Sequence, residues 1–158
     1  MLKIFDRNNF PPRLRDLKKM ALFLDLTRRE MKIVDSFIHE RSYLKDEVIF
    51  DEGEEGEAFY IVLEGKVLIC RQGESGLPIA TLDSGSFFGE MALLDDVPRS
   101  AQARAAQDCT LVVLFRGDFL KLMVSHALIA SKIALRLARH LGARLRNSNK
   151  AHPDFGPA

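Results

Sequence analysis

Between Leu14 and Arg41 the apolar residues recur three and four apart, the period of a helix lying on a core. Leu17, Met20, Ala21 and Leu24 make one stripe, and Met31, Val34, Phe37 and Ile38 make a second. Thr27 followed by Glu30 reads as a capping box, so a new helix starts there and a turn separates the two. From Ser42 to Phe115 the period changes. The runs "EVIFDEG", "EAFYIVLEGKVLICRQG", "LPIATLDSG" and "CTLVVLFRG" are short, β-branched or aromatic, and closed by Gly or Asp-Ser-Gly. Glu64-Gly65 within "YIVLEGKVLI" predicts a tight hairpin with strands of about five residues on either side. After Arg116 the helical period returns. "RGDFLKLMVS" predicts a short helix capped by Asp118, and a long helix follows with Ile129, Ile133, Leu137, Leu141 and Leu145 at every fourth position.

This succession predicts an α+β chain with one β domain. N-terminal helices cover 1–41 and pack on a β-roll over 42–115; a C-terminal helix pair covers 116–148, and a loose Pro/Gly-punctuated tail covers 149–158. Many short strands at near-regular spacing indicate a jelly-roll barrel of about eight strands. No internal repeat is visible.

Charge and composition narrow the function. A formal net charge of +1 excludes a molecule that binds nucleic acid by its overall field. The two cysteines, Cys70 and Cys109, sit in apolar runs and read as small core residues rather than a disulfide. The N-terminus is charged too early for a signal peptide, and no apolar run approaches the ~20 residues that span a bilayer. A soluble, cytoplasmic protein without a transmembrane segment is expected. His39, His126, His140 and His152 are scattered without metal-ligand spacing, and neither a G-x-S-x-G elbow nor a P-loop occurs. Adjacent Asp95 and Asp96 face different ways and read as a solvated turn. The expectation is no metal, no cofactor and no enzyme.

One stretch breaks the β pattern. "FGEMALLDDVPRSAQARA", from Phe88 to Ala105, carries "GEMALLDD" with helical spacing, which predicts a short helix inserted between strands. Gly85 and Gly89 flank its start, where backbone amides come close to an anion. Arg99, fixed by Pro98, presents a planar fork that pairs two oxygens of one phosphate. A carboxylate at Glu90 would repel a bare phosphate, but it accepts a hydroxyl beside one. Two readings follow: a surface ion pair in a loop, or a nucleotide site with ribose on Glu90 and phosphate on Arg99.

The same stretch resembles the phosphate-binding cassette of the cyclic nucleotide-binding domain family, F-G-E-[LM]-A-L, a short variable run, then P-R-[AST]-A. The cassette occupies 88–101 and every fixed position matches. "GEAFYIVLEGKVLI", "LDSGSFFGE" and "MALFLDLTRREMKIV" are similar to the family's barrel and leading helices, so the resemblance extends over about 20–148, as in a stand-alone bacterial-type domain. It implies a site of Phe88, Gly89, Glu90, Met91, Ala92, Arg99, Ser100 and Ala101. Gly89 and the amides of Met91 and Ala92 would approach the ribose-phosphate. Glu90 would take the ribose 2′-hydroxyl, Arg99 the equatorial phosphate oxygens, and Ser100 and Ala101 further phosphate contacts. Ser100 stands where Thr is associated with cGMP and Ala with cAMP, so cAMP is favoured and cGMP stays open. Gln102 departs from the Thr common there.

The resemblance implies a sensor whose ligand moves its C-terminal helices and signals to an unidentified protein effector. The other class of function is an interaction protein with a ligand-free barrel. Lys121, Lys132, Arg136, Arg139, Arg144, Arg146 and Lys150 follow Phe119 with no acidic residue before Pro153. They read as a solvated basic face or as a lid over the base, with Arg136 the candidate lid residue. The aliphatic ladder of the same helix packs on the barrel or pairs with a second chain as a homodimer. Few residues follow that helix, so the family's DNA-binding domain is not expected.

Overall fold

The computed structural model describes residues 10–71 and 77–151. Helix α1 (Pro12–Lys18), a 3₁₀ turn (Ala21–Phe23) and α2 (Arg28–Asp35) lead into β1 (His39–Tyr43), β2 (Val48–Phe50), β3 (Ala58–Glu64), β4 (Lys66–Cys70), β5 (Ala80–Asp83) and β6 (Phe87–Phe88). A second 3₁₀ turn (Glu90–Leu93) precedes β7 (Gln102–Ala105) and β8 (Cys109–Phe115), and α3 (Arg116–Ser125) and α4 (Ala127–Ala151) complete the order. The strands form two four-stranded antiparallel sheets, β1-β8-β3-β6 and β2-β7-β4-β5. An α+β jelly roll with flanking helices is therefore what the chain forms.

β3 from Ala58 to Leu63 and β8 from Leu111 to Phe115 are apolar throughout because the first sheet is covered on both faces. Phe59, Ile61, Val112 and Leu114 face the helices, where they join Leu14, Leu17, Phe23, Met31, Val34, Phe119, Leu122, Ile129, Ile133 and Leu137 in one core. The alternate residues Val62 and Leu111 face the second sheet and pack with Val67, Phe88, Ala103, Ala105 and Cys109. Period two thus divides each strand between two cores. Both cysteines are free thiols, Cys109 buried and Cys70 half-buried.

Thr27 caps α2 as its spacing requires, its hydroxyl accepting from the Glu30 amide at 3.2 Å. Other expectations need correction. Glu64-Gly65 does not close a hairpin: β3 pairs with β6 and β8, whereas β4 pairs with β5 and β7. Gly65, at φ 97°, is the corner where the chain leaves one sheet for the other. The first helical stripe is broken after Lys18, so Leu22 and Phe23 are buried while Ala21 and Leu24 are exposed. Strand pairing begins at His39, inside the stretch expected to be helical, because the polar sequence of β1 carries no apolar alternation. Asp118 lies in the first turn of α3 and bonds His39 at 3.1 Å; Phe115 is the residue at the cap. Of the tail over 149–158, α4 includes residues to Ala151, and the rest lies outside the described residues.

α4 runs along the helical side of the molecule. Ile129, Ile133 and Leu137 are buried, Leu141 is half-buried and Leu145 is exposed, so its apolar ladder packs inward for about half its length. Among the described residues no helix is long and apolar enough to cross a membrane.

Candidate functional site

Phe88 anchors the segment that carries the expected site. Its ring stacks on Tyr60, with centroids 5.2 Å apart and planes at 11°. The chain then turns through Gly89, whose φ of 73° is left-handed, into the 3₁₀ turn Glu90–Leu93. The expected helix is only this four-residue turn, and residues 94–101 follow without helix or strand before β7. Its inward side buries Ala92, Leu93 and the Glu90 carboxylate, while Met91 stays exposed.

Arg99 approaches the same turn from the far side. Two backbone bonds of 2.8 Å hold its own residue in place: Gly53 N–H donates to the Arg99 carbonyl, and Arg99 N–H donates to the Glu54 carbonyl. Its guanidinium donates from Nη1 to the Gly89 carbonyl at 3.2 Å and from Nη2 to the Ala58 carbonyl at 2.5 Å. It lies 4.0 Å above the Phe50 ring centroid. Burial pushes the Arg99 guanidinium below its ordinary pKa, partly offset by Tyr60, Glu54 and Glu90. Its Nε is buried without a hydrogen-bond partner. A charged, desolvated donor left unmatched is costly, and an anion brought to it would relieve that cost.

These groups line one cleft of ≈ 980 Å³. Phe88, Gly89, Glu90, Met91, Ala92, Arg99, Ser100 and Ala101 all contribute to its wall, so the structure brings every expected site residue together except Arg136. Arg136 is placed elsewhere. Its guanidinium forks onto Asp25, both bonds 2.7 Å, and holds that carboxyl below its ordinary pKa. α4 instead contributes His140, Leu141 and Arg144 to the cleft. Arg144 bonds the Glu90 carboxylate directly and so supplies the countercharge that a buried carboxylate needs. Apolar side chains also line the cleft: Phe50 beside Arg99, and Ile69, Ile79 and Leu82. Such a lining can take a ligand that joins a flat apolar body to an anion with an adjacent hydroxyl.

Sequence reasoning missed His140, Arg144, Ile69, Leu82 and Gly56. A β-carbon on Gly56 would lie 3.2 Å from that of Ala92 and 3.5 Å from Arg99 Nε, so this glycine leaves room behind two of the residues that line the cleft. A signal that could have found His140 and Arg144 is their place in one i, i+4 row with Arg136, whose cations read as a solvated face or as a lid.

His140 packs on the Phe87 ring, centroids 4.2 Å apart. Burial lowers its pKa and Arg144 adds to that, while Glu90 opposes both. With a folded value below the unfolded value of about 6.5, proton uptake favours the unfolded chain. The stabilisation is complete above the unfolded value and is lost as pH falls through the lowered folded one. Thermal melts taken from pH about 7.5 to about 5 should lose more for the wild type than for His140→Gln. Parallel losses would assign the dependence to other groups.

The arrangement has counterparts among known proteins. Residues 40–126 match the family described as "Cyclic nucleotide-binding domain". The Cyclic AMP receptor protein of Thermus thermophilus is 39% identical over 127 residues, covering 79% of this chain and 59% of that protein. A cAMP-dependent protein kinase regulatory subunit of Yarrowia lipolytica is 34% identical over 107 residues, 68% of this chain and 28% of its own. The crystal structure of a cyclic nucleotide-binding domain from Methylobacillus flagellatus superposes with a TM-score of 0.77 at 26% identity, covering 92% of this chain and 83% of the other. The chain thus spans less than two thirds of the length of the curated relatives.

Proposed function

The chain belongs to the cyclic nucleotide-binding domain family, and on that premise we propose that it is a sensor that binds a 3′,5′-cyclic nucleotide, cAMP before cGMP. The unpartnered Nε of Arg99, buried beside the cleft, is the observation that carries this reading. It supports an anionic ligand, and the buried Glu90 on the same wall supports a hydroxyl next to that anion. Ile69, Ile79 and Leu82 suit a base. The names of the relatives, a cyclic AMP receptor protein and cAMP-dependent regulatory subunits, favour cAMP. They also favour a regulatory role over catalysis. Ser100, with a hydroxyl but no methyl group, lines the cleft and leaves cGMP as the second ligand. Occupancy would reach a protein effector through α4, which shares a wall with the ligand. A cytoplasmic setting is consistent with the free thiols at Cys70 and Cys109.

Calorimetric titration of nucleotide-stripped protein with cAMP, cGMP and 5′-AMP tests this. The expected result is binding of cAMP, weaker binding of cGMP and none of 5′-AMP, whose phosphate is not tied back to the ribose. Silence with all three would turn attention to the helices as a protein-binding surface.

A further inference from the structure

Arg99 is held by neutral groups. Its guanidinium donates to two peptide carbonyls, those of Gly89 and Ala58. Among the described residues no carboxylate forms an ion pair with it. Glu54 and Glu90 attract it only through space. The remaining neighbours are aromatic: Cζ lies 4.0 Å from the Phe50 ring centroid and 5.8 Å from that of Tyr60. A cation taken out of water needs compensation, and the negative face of a ring supplies some of it. A carboxylate in the same place would hold the guanidinium more firmly. It would also cancel the charge that an anion has to find.

The Phe50 ring is itself braced. Phe50 is the last residue of β2 and pairs with Ala103 of β7, in the second sheet. Its ring centroid lies 5.7 Å from that of Tyr60 on β3 and 5.9 Å from that of Phe88 on β6. Two strands of the first sheet thus steady a ring carried by the second. The chain just beyond it, at Gly53 and Glu54, makes both 2.8 Å backbone bonds to residue Arg99. One segment, 50–54, therefore fixes Arg99 at both ends, its backbone by hydrogen bonds and its guanidinium by the ring.

We propose that Phe50 is a positioning residue for the anion site, orienting the Arg99 guanidinium through its ring face without neutralising its charge. The inference rests on the nucleotide reading above and names what tunes its phosphate end. Two phosphate oxygens pair with a guanidinium only in the plane of its fork. Losing the ring lets that plane turn, so affinity falls through Arg99 and not through a lost ligand contact.

Replacing Phe50 by phenylalanines bearing one, two and three ring fluorines drains the negative face while nearly keeping the shape. Calorimetric affinity for cAMP should fall stepwise, by about tenfold at three fluorines, and at least as far in Phe50→Leu. Fluorine makes the ring more apolar, so a ring that merely packs would keep or gain affinity. A second measurement needs no nucleotide. In urea unfolding, Phe50→Leu and Arg99→Ala combined should lose less stability than the two single losses summed. Equal cAMP affinity across the fluorine series, beside a wild type that binds, overturns the positioning role and leaves the nucleotide reading standing. Additive losses in urea overturn the contact itself, whatever the ligand. Silence of the wild type toward cyclic nucleotides overturns the reading beneath this inference, and the inference with it.

Discussion

Arg99→Ala is expected to weaken cyclic nucleotide binding by about 2–5 kcal/mol, the range for truncating one partner of a buried charge pair. Three features concentrate the effect there. The guanidinium is desolvated, its Nε has no partner, and the ring of Phe50 closes one face at 4.0 Å. A phosphate oxygen arriving at this site replaces no protein partner of Nε, so the new bond is not offset by the loss of an old one. The same side chain also holds the fold, since it donates to the carbonyls of Gly89 and Ala58. Leaving buried acceptors unmatched costs about 1–3 kcal/mol each, and Arg99→Ala should therefore lower stability as well. Calorimetry beside urea unfolding separates the two losses. Arg99→Lys keeps the charge but not the fork, and should fall between wild type and alanine in affinity. Equal cAMP affinity in wild type and Arg99→Ala would remove Arg99 from the ligand site.

Gly65→Ala should produce the largest loss of stability, about 2–5 kcal/mol. Left-handed backbone costs a non-glycine residue about 1–2 kcal/mol, and overpacking a filled site costs a further 1–3 or so. Gly65 incurs both. At φ 97° a β-carbon would lie 2.5 Å from Cβ of Cys109, 2.6 Å from the carbonyl oxygen of Asp108 and 2.8 Å from Cα of Cys109. Backbone supplies two of these atoms, so the crowding is relieved only by shifting β8. Gly53→Ala is the control: its φ is 85°, yet a β-carbon there meets nothing within 4 Å. It should lose only the conformational share. Equal urea midpoints for the two variants would mean that the corner yields and the close approach is unimportant.

The contrast between these glycines also marks where the sequence was legible. The two runs that became β3 and β8 were plain as strands, because a strand buried on both faces needs apolar residues at every position. Thr27 and Glu30 set the start of α2 by a bond three residues long, which is local. The partners of β3 and β4 were not local. Glu64-Gly65 has hairpin chemistry, and only the crossing of the two sheets decides that the same left-handed glycine serves as a corner. β1, β6 and β7 escaped for a related reason: β1 is polar, β6 has two residues, and β7 presents small alanines to the core.

The site divided in the same way. The stretch from Phe88 to Ala101 was readable because its residues are contiguous and its order is distinctive, and all its named positions face one cleft. Arg136 was the lid candidate among the seven cations after Phe119, and nothing local ranked it above Arg144 in the same i, i+4 row. Which member of that row reaches the cleft depends on how far α4 runs before it passes Glu90, a distance set by the packing of Ile129, Ile133 and Leu137. Asp25 claims Arg136 one turn too early, and Arg144 arrives two turns later.

That half-anchored helix has a mechanical consequence. From Leu137, its last fully buried residue, to Ala151 the axis extends about 21 Å at 1.5 Å per residue. A pivot of about 10° at Leu137 carries the far end through about 4 Å, roughly the separation of adjacent strands. α4 is in this sense a lever with its fulcrum in the core and its short tether at Arg144. A small rotation at Leu137 is thereby magnified along the part of α4 that the core does not hold.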